Sequence, residues 1–84
     1  MGLWVVEFIM QLEDRFDVKL EDAEMERVTV VADMERLIIS KLIAKGSNVP
    51  DVFGIIKEIL VNDWGHVPWN VRRESSFVQD LGFH

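Results

Sequence analysis

Cysteine is absent from the 84-residue chain, proline occurs only twice, and 9 basic side chains stand against 15 acidic ones. Without cysteine there is no disulfide framework, no thiolate nucleophile and no thiolate zinc site, so the chain is indifferent to the redox compartment. The net charge of -6 opposes phosphate backbones and argues against nucleic acid as a partner. No apolar run approaches the roughly 20 residues that span a bilayer, and the start shows no basic region leading into a signal-peptide core. A cytoplasmic or recombinant protein without a membrane partner is the default. Glycine-rich phosphate signatures are also lacking, since the "KGS" of Lys45 to Ser47 has no strand and loop around it.

What is present is a globular composition, nearly half apolar, sufficient for one small domain of modest stability. Apolar residues at Val5, Phe8, Ile9, Leu12 and Phe16 recur at helical spacing and predict a helix over 3–16. Residues 17–20 read as a connection, and 21–27 as a helix of about two turns that needs packing to persist. Thr29 is expected to cap the next helix with its hydroxyl, with Asp33 at the positive end of the dipole. Met34, Leu37, Ile38 and Leu42 form its buried stripe to about Ala44. Gly46 to Pro50 breaks the pattern. Asp51 caps a last helix from Val52 to about Asp63 that buries Val52, Ile55, Ile56, Ile59 and Leu60 and stops at Gly65. Gly54 costs about 1 kcal/mol relative to alanine inside a helix, so a local packing reason is expected there. The remainder is loop, pinned to the core by Val71, Phe77, Val78, Leu81 and Phe83. The fold class is all-α, a small bundle of three main helices and one short helix.

The segment "ESSFVQDLGF" near the end, together with Val6-Glu7-Phe8, Leu12-Glu-Asp14 and Phe16 near the start, resembles the middle of an acyl carrier protein. The resemblance implies a circularly permuted four-helix bundle. Residues 1–44 match the family's recognition helix through its last helix, 45–50 form a joining linker, and 51–84 match the family's first helix and long loop. Antiparallel first and last helices would place the original termini at one end, within reach of that linker. It also implies that Phe83 and Leu3 are neighbours in space. Counting back from Glu7 puts Trp4 at the family's second aspartate, Leu3 at its leucine, and Gly2 at the serine that carries phosphopantetheine. Glycine has no side-chain hydroxyl with which to form the phosphodiester, so no cofactor is expected. Ser75 and Ser76 fall in the supporting loop, Ser40 in a helix and Ser47 in the linker.

Partner-binding residues follow from the same comparison. Glu7, Glu13, Asp14 and Asp22 match acids that in the family face basic enzyme surfaces, although Arg15 and Trp4 replace two others. Trp4, Val67 and Trp69 place apolar side chains where the family is polar, which suggests a contact surface, with Met1 and Phe83 at its margin; the competing reading folds Trp69 back over the bundle as a lid. Trp64 reads as core or core edge. His66 and His84 stand beside no serine and no carboxylates at ligand spacing, and Glu13 and Asp14 are adjacent and point apart, so neither an enzyme nor a metal site is expected. The chain reads as a carrier-shaped, engineered scaffold that binds an unidentified protein. Its alternative is a fatty-acid or polyketide carrier variant that docks through its acidic helix. A dimer swapped through the 45–50 linker is a third arrangement.

Overall fold

The computed structural model describes residues 3–83, and the side chains of residues 6–83. Four α-helices occur among the described residues: α1 (Leu3–Phe16), α2 (Asp22–Met25), α3 (Val31–Ala44) and α4 (Val52–Asn62). Together they form an all-α bundle. The expectations for Met1, Gly2, the Trp4 side chain and His84 concern positions outside the described residues.

α1 buries Phe8, Ile9, Leu12 and Phe16 on one stripe, and each fully buried side chain of this size is worth roughly 1.5–3 kcal/mol in transfer free energy. The helix ends at Asp17, whose φ of 54° lies in the left-handed region. Lys45 spans to this end, its ammonium donating to the Asp17 carbonyl and, at 3.0 Å, to the Asp17 carboxylate. In the short α2 the Glu24 carboxylate accepts the Glu21 N–H at 3.0 Å. It also pairs with Lys41 of α3 at 2.7 Å, and that contact, first, together with the Glu21 amide holds its pKa below the usual carboxylate range. Met25 anchors the turn in the core.

The start of α3 differs from the expectation. Thr29 does not cap it by accepting; the Asp33 carboxylate instead accepts the Thr29 N–H at 3.0 Å, the Thr29 hydroxyl at 2.9 Å and the Val30 N–H at 3.1 Å, and pairs with Arg36. An ionised carboxylate is the stronger acceptor, so it takes the amides and the threonine is left to donate. The α3 stripe is Val31, Met34, Ile38 and Leu42, with Leu37 only half-buried. Its C-terminus closes with Gly46 at φ 74°, the Gly46 N–H donating to Ile43 and the Ser47 N–H to Leu42, the double hydrogen bond of a Schellman turn.

Asp51 caps α4 by accepting the Gly54 N–H at 3.1 Å, as expected. Here lies the reason for Gly54: a Cβ at that position would stand 2.9 Å from the Asp51 carboxyl carbon. α4 buries Val52, Ile56, Ile59 and Leu60, and Ile55 is half-buried. Beyond it a 3-10 turn, Pro68–Asn70, interrupts what the sequence presents as plain loop. The closing segment then docks against the start of α3: Ala32 N–H donates to Arg73, Val31 N–H to Ser75 and Phe77 N–H to Thr29, giving an antiparallel bridge between Val30 and Ser76. Val71, Phe77, Leu81 and Phe83 are buried as expected, but Val78 is 55% exposed. The Ser76 N–H on the Asp80 carboxylate and the Leu81 N–H on the Ser76 carbonyl wind 76–81 into a turn. In that turn Phe77 and Leu81 share the inner face, which leaves Val78 outside.

Candidate functional site

The end of the described chain lands on α1. Phe83 packs its ring 5.2 Å from Phe8, 5.7 Å from Trp64 and 5.6 Å from Phe77, and stacks on His66 at 5.9 Å. Its N–H donates to the Phe77 carbonyl at 2.7 Å, so residues 77–83 form a closed loop whose last aromatic plugs the bundle beside the first turns of α1. The Leu3 side chain lies outside the described residues, and the contact that can be stated is with Phe8. Burial against this cluster lowers the His66 pKa below its ordinary value.

Next to the aromatic plug, α1, α2 and α3 enclose a half-open cleft of about 720 Å³. Its floor includes Phe8, Ile9, Met25, Met34, Phe77 and Phe83, and Asp22 and Glu26 stand at its edge. Val6 and Val78 line it too, and both are exposed, as is Met10 one turn beyond Val6 on α1. A large apolar cleft with few polar groups is the first place to look for ligand or partner binding. The signal for it was in the sequence: Val6 and Met10 are apolar but fall off the Phe8, Ile9, Leu12 and Phe16 stripe. The cleft itself depends on how three helices splay.

The expected partner residues do not gather in one place. Glu7, Asp14 and Asp22 are exposed. Glu13 is half-buried and its carboxylate accepts the Leu20 N–H at 2.8 Å, so it closes the α1–α2 connection instead of standing ready on a solvated face. Glu7 lines a small groove with Gln11, Asp63 and Trp64, where the Trp64 indole N–H donates to the Gln11 side chain at 2.7 Å and Gln11 in turn donates to Asp63 at 3.1 Å. Trp64 is half-buried and meets Phe8 edge-on, a core-edge residue as expected. Trp69 is 77% exposed in the 3-10 turn, beside the exposed Val67. It is therefore no lid.

The serines are tied into structure. Ser75 is fully buried; its hydroxyl donates to the Asn70 carbonyl at 2.8 Å and accepts the Arg72 N–H at 2.9 Å. The Ser76 hydroxyl accepts from Gln79 N–H, and the Ser40 hydroxyl donates to the Leu37 carbonyl within α3. Ser47 serves the C-terminal turn of α3. Among the described residues no group of three His, Cys, Asp or Glu side chains could hold a metal ion, and no helix is long and apolar enough to cross a membrane.

No family model matches the chain, and no solved structure matches it. Among curated proteins it is similar to the acyl carrier protein of Exiguobacterium sp. (strain ATCC BAA-1283 / AT1b), with 42% identity over 41 residues. The matched region is 49% of this chain and 52% of the relative, so the chain spans about half the length of the curated relative it matches. Over that half the chain is acyl-carrier-like.

Proposed function

We propose that the chain is a circularly permuted acyl-carrier-like bundle that carries no prosthetic group and acts as a protein-recognition scaffold. The observation that supports it most directly is the occupation of the serine hydroxyls. Ser40, Ser75 and Ser76 are engaged in helix or loop hydrogen bonds, and the resemblance of the α1 sequence to the family implies that the attachment position falls on Gly2. A phosphodiester needs a free side-chain oxygen there. Recognition would then rest on the exposed apolar side chains of Val6 and Met10 on α1 and of Val67 and Trp69 in the turn, bordered by the acids Glu7, Asp14 and Asp22 and, in the undescribed part, Trp4. Aromatic anchors at such borders concentrate binding energy.

Two measurements test this. Intact mass after incubation with a phosphopantetheinyl transferase and coenzyme A should be unchanged; an adduct of phosphopantetheine mass overturns the loss of the carrier role. A gene in which His84 is joined to Met1 and new ends are opened between Gly46 and Ser47 should give a chain with the same helical circular dichroism and cooperative melting. An unfolded product would refute the permuted topology.

The second reading, a carrier variant that docks to basic enzyme surfaces, draws on the similarity to an acyl carrier protein and on the exposed carboxylates of Glu7, Asp14 and Asp22. It predicts salt-sensitive binding to a basic synthase or transferase surface even without loading, because such attraction is screened over about 8–10 Å at physiological salt.

A further inference from the structure

Among the described residues, the closing segment 70–83 is tied to itself more densely than to the helices. The Ser75 hydroxyl bridges the Asn70 carbonyl and the Arg72 N–H, and the Asn70 side-chain amide donates to the Asp80 carbonyl at 3.0 Å. The Asp80 carboxylate accepts the Ser76 N–H at 2.7 Å, and the Phe83 N–H returns to the Phe77 carbonyl. Its attachment to the bundle is narrower. Three backbone hydrogen bonds make it, and their partners on the bundle side are Thr29, Val31 and Ala32. Beside them Arg73 pairs with Glu35 at 3.0 Å and lies 4.4 Å over the Phe53 ring. The rest of the hold is apolar, through the buried Phe77, Leu81 and Phe83. From α4 the segment is reached through the exposed Pro68 and Trp69, which leave room for it to pivot.

We propose that residues 70–83 form a strap that undocks from the start of α3 as one body, and that this motion opens the large cleft. Local opening follows contiguous units with few links to the rest of a fold, and here the backbone links converge on residues 29–32. The amides of Val31 and Ala32 stand in the first turn of α3, where a helix offers no acceptor of its own. The Ser75 and Arg73 carbonyls serve them instead, so release of the strap frees both amides together. On the cleft side Phe77, Val78 and Phe83 form one wall. They leave with the strap, and this uncovers Met34, which is 1% exposed while the strap is docked. The motion requires neither the scaffold reading nor the carrier reading, since it follows from how the segment is fastened.

The test is native-state amide exchange of the isotope-labelled full chain at low urea. Val31, Ala32 and Phe77, whose hydrogen bonds cross the edge of the strap, should share one opening constant, larger than that of Ile38 and Leu42 further along α3. Met34→Cys places a single thiol in a chain without cysteine, and iodoacetamide should modify it with the opening constant that those three amides show in the same variant. Val30→Cys combined with Ser76→Cys locks the strap. The two positions face each other across the antiparallel bridge, between its two hydrogen bonds, as a pair whose Cα atoms stand about 4.5 Å apart, within reach of a disulfide. Oxidation of that variant should slow exchange at Ala32 and Phe77 at least about tenfold relative to its reduced form and bring it to the level of Leu42. The proposal is overturned by different opening constants for Phe77 and for Val31 and Ala32, by constants equal to those of Ile38 and Leu42, by thiol modification that tracks Leu42, or by exchange that the disulfide leaves unchanged.

Discussion

Asp33 is the side chain on which acid stability should turn. Its carboxylate gathers two backbone amides, a hydroxyl and the Arg36 guanidinium at the start of α3. The Val30 amide above all, then that of Thr29, holds its pKa down from 3.8 to about 2. A folded pKa below the unfolded one means that the ionised form favours the fold, so the contribution is complete above about pH 5 and is lost as the pH falls through 4 toward 2. The displacement corresponds to at most about 2.5 kcal/mol. Because 24% of the side chain faces water, solvent screening reduces this to about 1–2 kcal/mol, which agrees with the usual cost of deleting a helix cap. Asp33→Ala should therefore lower the midpoint of thermal unfolding at pH 7 by roughly 5–15 °C for a chain of this size. Near pH 2 the difference between the variant and the parent should shrink to a small remainder. Taking the difference matters, since 15 acidic side chains titrate together and only the comparison isolates one of them. Asp33→Asn, which keeps an acceptor oxygen and no charge, should fall between the two at neutral pH. A penalty for Asp33→Ala that is the same at pH 7 and pH 2.5 would refute the reasoning, as would one below about 0.5 kcal/mol at neutral pH, the ordinary scatter of surface substitutions.

Phe83→Ala empties the aromatic plug against Phe8, Trp64 and Phe77 and should cost about 3–4 kcal/mol, with amide exchange in 77–82 accelerating before that of α3; uniform exchange would count against a locally docked closing segment. Ser75→Ala leaves the Arg72 N–H and the Asn70 carbonyl without their bridge and should cost about 1–3 kcal/mol in urea unfolding. Gly54→Ala should fail to stabilise α4, because the gain of about 1 kcal/mol in helix propensity is cancelled when the new methyl displaces the Asp51 cap; a midpoint several degrees higher would show that the cap is dispensable. Trp69→Ala should change stability by less than about 0.5 kcal/mol, since the side chain is 77% exposed, and a large loss would mean that the indole is structural after all.

The helices were largely legible because their signals are local. The Phe8, Ile9, Leu12 and Phe16 stripe, the Asp51 cap and the Gly46 stop each depend on residues within a turn or two, and observed limits follow them closely. The misses share another character. From sequence Thr29 reads as an acceptor, because the sequence shows that its hydroxyl and the Asp33 carboxylate are both present but not which of them takes the amides, a competition that charge decides. Glu13 reads as a solvent-facing acid because nothing in its own helix reveals that the Leu20 N–H, seven residues on, turns back toward it. Val78 looks like its apolar neighbours in sequence, yet the Ser76 and Asp80 hydrogen bonds rotate it outward. Of the candidate site, the exposure of Trp69 and Val67 was foreseen from their replacing polar residues in a resemblance. The cleft was not.

By itself the sequence determined an all-α class, the number and approximate extent of the helices, the stripes they bury, and the exclusion of cysteine chemistry, because periodicity and residue type act over a few bonds and need no partner from elsewhere in the chain. Tertiary structure alone decided that Phe83 packs against Phe8 seventy-five residues away in sequence, that Ser75 is sealed inside while Trp69 stands out, and that Arg27 is left over when the acids around it have found other donors. Those outcomes depend on the angles at which helices cross and on which of several competing hydrogen-bond partners is brought into reach. Such quantities arise from the packing of the whole bundle and belong to no single stretch of it.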